Sequence, residues 1–132
     1  MSDWHTLDWR VSYADTDRMG VVYYANYLVL FERGRTEMLR DKGYPYKAME
    51  DAGTYLPVVD AQIRYKAPAR YDDRLTVRTR VSDLGRASIT FDYQIVHAET
   101  GAVVVEGSTK HPFVNNQWKP VRTPDFIQSL FR

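Results

Sequence analysis

No cysteine occurs among the 132 residues. That excludes a disulfide framework, a thiol nucleophile and a zinc–thiolate site. It suits a reducing compartment, and a cytoplasmic protein is expected. Long apolar runs are missing too: none approaches the roughly 20 residues that cross a bilayer, so no membrane span is expected. The opening MSDWHTLDWR lacks the basic segment and apolar run of a signal peptide. An excess of either charge is also absent, since 18 basic and 17 acidic residues leave +1. A dedicated nucleic-acid binder shows a basic excess, so no nucleic-acid partner is expected. There is no internal repeat and no low-complexity linker. What remains is ordinary for a folded protein, 44% hydrophobic and 27% charged. The length fits one domain over residues 1–132, and a domain of this size buries roughly two-thirds of its unfolded surface.

Hydrophobic periodicity divides the chain. Leu7 to Ala14 reads as a strand, with Leu7, Trp9, Val11 and Tyr13 alternating against Asp8, Arg10 and Ser12. From Asn26 to Lys42 the period becomes helical: Tyr27, Leu30, Phe31, Gly34 and Met38 form one stripe. Leu28, Arg35 and Leu39 lie beside it, so the helix is expected to be buried on several sides. Gly43 suits its C-terminal cap. Pro45 and Gly53 bracket a short second helix. Strands follow over Leu56–Lys66, Arg74–Asp83, Ala87–Ala98 and Ala102–Val114, broken at Asp72-Asp73, Leu84-Gly85 and Thr100-Gly101. Pro124 starts a last short helix. One strand, an apolar helix and four consecutive strands describe an α+β domain. Its antiparallel sheet, a meander or a close variant, curves around the long helix. The edge strands of such a sheet invite pairing with a second copy.

The stretch that this pattern does not explain is YADTDRMGVVYYANY, Tyr13 to Tyr27. Aspartate before a helix is commonly a turn former or a cap. Asp15 is read that way, bonding nearby backbone, and Asn26 is read as the helix N-cap. Gly20 is expected to allow a backbone conformation or a close approach to ligand, and Gly34 to let helix and sheet approach closely. Asp-Thr-Asp could hold a metal, but no further ligand cluster accompanies it. Glu32 and Glu37 are expected to pair with neighbouring arginines. The histidines His5, His97 and His111 lie outside this stretch; His97 and His111 read as surface or strand residues.

Asp15-Thr16-Asp17, Gly20-Val21-Val22-Tyr23 and Ala25-Asn26-Tyr27-Leu28 together resemble the signature of the hotdog-fold acyl-CoA thioesterases. The group is that of 4-hydroxybenzoyl-CoA thioesterase and its Tol-Pal-associated bacterial relatives. Phe31-Glu32-Arg33, Arg35-Thr36-Glu37, Tyr65 to Arg70 and Leu84 to Ser88 extend the resemblance over nearly the whole chain. It implies a hotdog fold, a curved antiparallel sheet of about five strands around one long central helix. It implies Asp17 as the catalytic carboxylate, either nucleophile or general base, and the Tyr24 amide as the group that polarises the thioester carbonyl. Many Tol-Pal relatives have histidine at the Tyr24 position, which leaves the acyl preference open. It also implies a homotetramer, a dimer of dimers with the active site at the dimer interface.

These residue types suit the reaction. A helix N-terminus offers free N–H groups to a developing oxyanion. Thiolate leaves readily, so a carboxylate suffices without a Ser-His-Asp set. The coenzyme A phosphates call for cations at a solvent-facing rim. Arg64, Lys66, Arg70 and Arg86 are candidates, with Ser88 beside Arg86. Val58, Val59 and Tyr24 are candidates for the acyl wall, and Glu32 is a lesser catalytic candidate. The expected partner is an acyl-CoA substrate, with acyl carrier protein as the alternative acyl donor. No cofactor or metal is expected, coenzyme A being part of the substrate. A hotdog dehydratase would need a histidine in the motif, which is missing. A non-catalytic binding module is the remaining rival.

Overall fold

In the computed structural model residues 3–131 are described; the ends of the domain expected over 1–132 lie outside the described residues. Five strands form one antiparallel sheet: β1 (His5–Arg10), β2 (Asp60–Tyr65), β3 (Arg74–Leu84), β4 (Ser88–His97) and β5 (Val103–Pro112). Three helices accompany them: α1 (Asn26–Asp41), α2 (Tyr46–Asp51) and α3 (Asp125–Phe131). The order is β1-β3-β4-β5-β2. The last three strands make the expected meander, but β2 flanks β5, so β1 and β2 are the two edges. This is the α+β hotdog arrangement.

The first strand begins and ends earlier than its alternation suggests. Pairing with β3 stops at Arg10↔Arg74, and Ser12 then turns the chain into a single 3-10 turn over Tyr13–Asp15. The second strand is likewise shorter than Leu56–Lys66. Its first half leads in as irregular chain, bonded at Tyr55 to Val114 and at Val59 to Lys110. Two register shifts keep the core face apolar where strict alternation fails. One lies between Val81 and Asp83, so Val81 and Leu84 both face inward; the other is beside Val96, where Val104 and Val105 are both buried.

Helix α1 lies in the concave face of the sheet. Tyr27, Leu30, Phe31, Met38 and Leu39 are buried there with Leu75, Val77, Ile89, Phe91 and Ile95. Each such side chain contributes about 1.5–3 kcal/mol. Gly34 sets the spacing: a methyl there would collide with Thr79 Oγ1 and press on Val77. The helix ends at Gly43, φ +93°, whose N–H bonds to the Arg40 carbonyl while Tyr44 N–H reaches Leu39. Burial on several sides does not hold for the first turns, because Leu28 and Val29 face outward and are 40% and 54% exposed.

Polar groups are also buried under the helix. The Arg35 guanidinium donates to the Tyr46 hydroxyl (3.0 Å) and the Tyr93 hydroxyl (3.4 Å). Tyr93 and Thr109 hydroxyls are 2.6 Å apart, and Thr109 Oγ1 lies 2.7 Å from His111 Nε2. His111 Nδ1 donates to the Leu56 carbonyl at 3.1 Å. With that proton on Nδ1, Nε2 accepts from Thr109, and the chain runs in one direction from Arg35 to Leu56. His111 is therefore a core residue of β5, not a surface one. Burial first, then the Arg35 charge, lower its pKa from 6.5 to about 4. The unfolded chain takes this proton near 6.5 and the folded one refuses it until about 4. Stability is thus full above pH 6.5 and falls as pH drops toward 4, by about 3 kcal/mol in all. Urea midpoints between pH 7 and 4 should show that fall, and His111→Gln should flatten it. A wild-type slope equal to that of His111→Gln would contradict the reading.

Candidate active site

The loop before α1 is built on two aspartates with separate tasks. Asp15 is spent on structure: its Oδ2 accepts from Ser12 N–H (2.9 Å) and Trp9 Nε1 (3.2 Å). Its carbonyl accepts from Tyr23 N–H (2.9 Å) and from Asn26 Nδ2 (2.9 Å). Asn26 is thus not the N-cap; Ala25 holds that position, and the Asn26 side chain ties the helix start back to the loop. Asp17 opens a tight hairpin. Its N–H bonds to the Val21 carbonyl (3.0 Å), its carbonyl takes Gly20 N–H (3.0 Å), and its Oδ1 takes Met19 N–H (2.9 Å). Gly20 closes the turn at φ +78° in open space, a conformation costly for other residues. Val22 N–H bonds to the Ala69 carbonyl (2.8 Å), fixing the hairpin to the segment after β2.

One oxygen of Asp17, Oδ2, has no partner among the described residues. The Tyr24 N–H is in the same condition. Both residues line an open cleft of about 370 Å³. Its walls are mostly apolar: Met19, Val21, Tyr27, Tyr65 and Pro68, with Lys66 at the rim. Tyr24 and Tyr65 meet edge to face, ring centres 6.2 Å apart, and Tyr27 tilts against Tyr65 at 5.9 Å. Burial pushes the Tyr27 hydroxyl up to about 12, with the Ala69 backbone opposing, so this wall stays uncharged.

Of the residues read from sequence, Asp17, Tyr24 and Lys66 come together here. Lys66 also pairs with Glu106 at 3.4 Å. Val58 and Val59 are exposed beside Lys110, where β2 begins, whereas Tyr65 at its end pairs with Val105. Arg86 and Ser88 lie at the β3–β4 turn near Pro112, at that same far end of the sheet. Arg64 faces another groove of about 410 Å³, on the outer side of the sheet with Trp4, Arg80, Asp92 and Glu106. Arg70 is exposed where it bridges Val21. Glu37 pairs with Arg40 (3.3 Å) as expected. Glu32 is exposed, outside the cleft and without an ion pair among the described residues. Sequence reasoning did not mark Met19, Tyr27, Tyr65 or Pro68 as cleft residues. The available signal was that Tyr65 shares the inward face of Ala61 and Ile63, at the end of β2 nearest the motif.

The family model of the thioesterase-like superfamily matches residues 11–131. The chain is 38% identical over 113 residues to the putative acyl-CoA thioesterase YneP of Bacillus subtilis, covering 85% of this chain and 81% of that one. It is 41% identical over 90 residues to the acyl-CoA thioester hydrolase YbgC of Escherichia coli O6:H1, covering 68% and 67%. The DHNA-CoA thioesterase of Staphylococcus aureus superposes with a TM-score of 0.89 at 30% identity, over 96% of this chain and 87% of that one. The chain belongs to the hotdog-fold thioesterase-like superfamily, and within it is related to the acyl-CoA thioesterases.

Proposed function

We propose that this protein hydrolyses the thioester of short-chain or aromatic acyl-CoA, with Asp17 as the reacting carboxylate and the Tyr24 N–H as oxyanion donor. The observation that carries the reading is their meeting in one apolar cleft, each with an unused hydrogen-bonding valence. Asp17 Oδ2 either attacks the carbonyl carbon or takes a proton from water that does so. The carbonyl oxygen gains the negative charge, and the Tyr24 N–H at the positive end of α1 receives it. One such donor is worth about 2.7–4 kcal/mol in the transition state. The C–S bond then breaks, coenzyme A leaves as thiolate, and water supplies the second oxygen of the free acid. A volume near 370 Å³ with three tyrosine walls suits an aromatic ring or a short aliphatic chain.

The active unit is a dimer, formed by β2 edges pairing about a two-fold axis. Antiparallel pairing carries the Val58–Val59 end of one β2 to the Tyr65 end of the other. It thereby brings the far end of one sheet, with Arg86 and Ser88, toward the other protomer's cleft. This explains how residues distant within one protomer serve one site, as acyl wall and phosphate rim. The tetramer is two such dimers. Thiol release from a panel of acetyl, butyryl, benzoyl and palmitoyl coenzyme A tests the acyl class. Turnover of the short or aromatic esters is expected; preference for palmitoyl would overturn it. Sedimentation of the active protein should show a dimer or larger, and a fully active monomer would refute the shared site.

A further inference from the structure

The Tyr24 N–H belongs to the peptide it shares with the Tyr23 carbonyl. In a trans peptide the two point in opposite directions, so whatever holds the Tyr23 carbonyl also aims the Tyr24 N–H. That carbonyl accepts from Asn26 N–H at 2.8 Å. On its other side Tyr23 is held by its own N–H, which bonds to the Asp15 carbonyl at 2.9 Å. The Asn26 side chain returns to the same acceptor, its Nδ2 donating to the Asp15 carbonyl at 2.9 Å. Three bonds thus close a frame through Asp15, Tyr23 and Asn26, with the donor peptide as one side of it. The Tyr65 hydroxyl holds the next carbonyl, that of Tyr24, at 3.0 Å, and so acts on the following peptide.

We infer that Asn26 is a positioning residue, whose side-chain amide ties the start of α1 to the Asp15 carbonyl and so fixes the Tyr23–Tyr24 peptide with its N–H toward the thioester oxygen. The inference rests on the proposed role of the Tyr24 N–H. Asn26 is the one member of the frame that contributes a side chain. Asparagine at a helix start commonly accepts from a free N–H of the first turn; this one donates to the loop instead. Asp15 stands two residues before Asp17, whose N–H bonds to the Val21 carbonyl at 3.0 Å in the same hairpin. The frame therefore sets the carboxylate and the donor relative to each other. Preorganised donors stabilise developing charge because they do not reorient during reaction. Without the Nδ2 bond the first turn of α1 is free to shift, and the Tyr23 carbonyl shifts with it.

Asn26→Ala removes this bond and leaves the cleft lining unchanged, since Asn26 is not part of it. Its kcat on the best ester of the panel should fall about tenfold, the value of one such hydrogen bond, with KM at the wild-type value. Asn26→Ser, a residue suited to helix starts but too short to reach the Asp15 carbonyl, should show the same loss if the alanine variant does not fold. A lower thermal midpoint with wild-type kcat would make Asn26 a structural residue only. A second readout does not depend on turnover. Phenacyl-CoA, a ketone with a methylene between carbonyl and sulfur, is not hydrolysed. Its carbonyl stretch on wild type is expected below the value in water, and on Asn26→Ala nearer to that value. Equal frequencies on the two proteins would overturn the inference. No lowering on wild type would overturn the Tyr24 N–H reading and this inference with it. An active Asp17→Asn would instead refute the carboxylate chemistry, while the ketone comparison still decides the role of Asn26.

Discussion

Asp17→Asn is expected to lower kcat for thioester hydrolysis by about 10²–10⁴-fold, with coenzyme A ester binding retained. The substitution is chosen for what it leaves in place. Asparagine has the same shape and keeps an oxygen to accept Met19 N–H, the bond Asp17 Oδ1 makes at 2.9 Å. The Val21 and Gly20 bonds of the hairpin use only the Asp17 backbone. No ion pair is lost, since none of those among the described residues involves Asp17. Stability should therefore move by no more than about 0.5 kcal/mol. The neutral amide can neither form an anhydride nor accept a proton from water, and the rate should report that difference alone. Asp15→Asn is the contrast. Its carboxylate holds Ser12 N–H and Trp9 Nε1, so its loss should lower the thermal midpoint before it touches the chemistry.

The largest effect on stability is expected at Gly107, in the middle of β5. A methyl there would collide with the Gln62 backbone carbonyl and lie 2.8 Å from the nearest Phe31 ring carbon. Neither neighbour can yield freely. Gln62 is held in the β2–β5 ladder, opposite Ser108. The Phe31 ring is stacked on Tyr93 with centres 4.2 Å apart. Relief requires β2 to lift from β5 or Phe31 to leave its stack. Overpacking of this kind costs about 1–3 kcal/mol, and a β-branched side chain costs more. Urea unfolding of Gly107→Ala should show the lower midpoint, and Gly107→Val a lower one still. Ser108→Ala, one residue on and facing outward, should stay within about 0.5 kcal/mol. Equal stability of Gly107→Ala and wild type would mean that β2 sits less tightly on β5 than this packing implies. Because β2 carries Tyr65, the glycine variants should lose activity along with stability.

Local chemistry made much of the architecture legible in sequence. The alternation of Ile89, Phe91, Tyr93 and Ile95 marks β4 because all four face α1 and are buried. Gly43 and Gly53 mark helix ends because both need positive φ. Gly34 announces a close approach that the structure has. What stayed hidden depends on residues distant in the chain. The place of β2 beside β5, not β3, is a matter of long-range pairing. The bulge after Val81 shifts parity inside one strand, which a period of two cannot express. His111 looked like an ordinary strand residue because Arg35, Tyr93 and Thr109, which define its surroundings, are brought to it only by folding. The motif pointed to Asp17 and Tyr24, and both line the proposed cleft. Tyr65 was not marked, because its tie to Tyr24 spans 41 residues and a tyrosine in a strand has many ordinary uses.

The central claim is that a carboxylate at Asp17 drives thioester hydrolysis in this cleft. It is tested most directly by the initial rate of thiol release from benzoyl-CoA and butyryl-CoA, measured for wild type and Asp17→Asn in parallel. With no cysteine in the chain, the protein adds nothing to the thiol signal. Rapid release by wild type and almost none by an Asp17→Asn protein that still binds the ester is the predicted result. Comparable release by both would contradict the account, as would none by wild type on these esters or their acyl carrier protein counterparts.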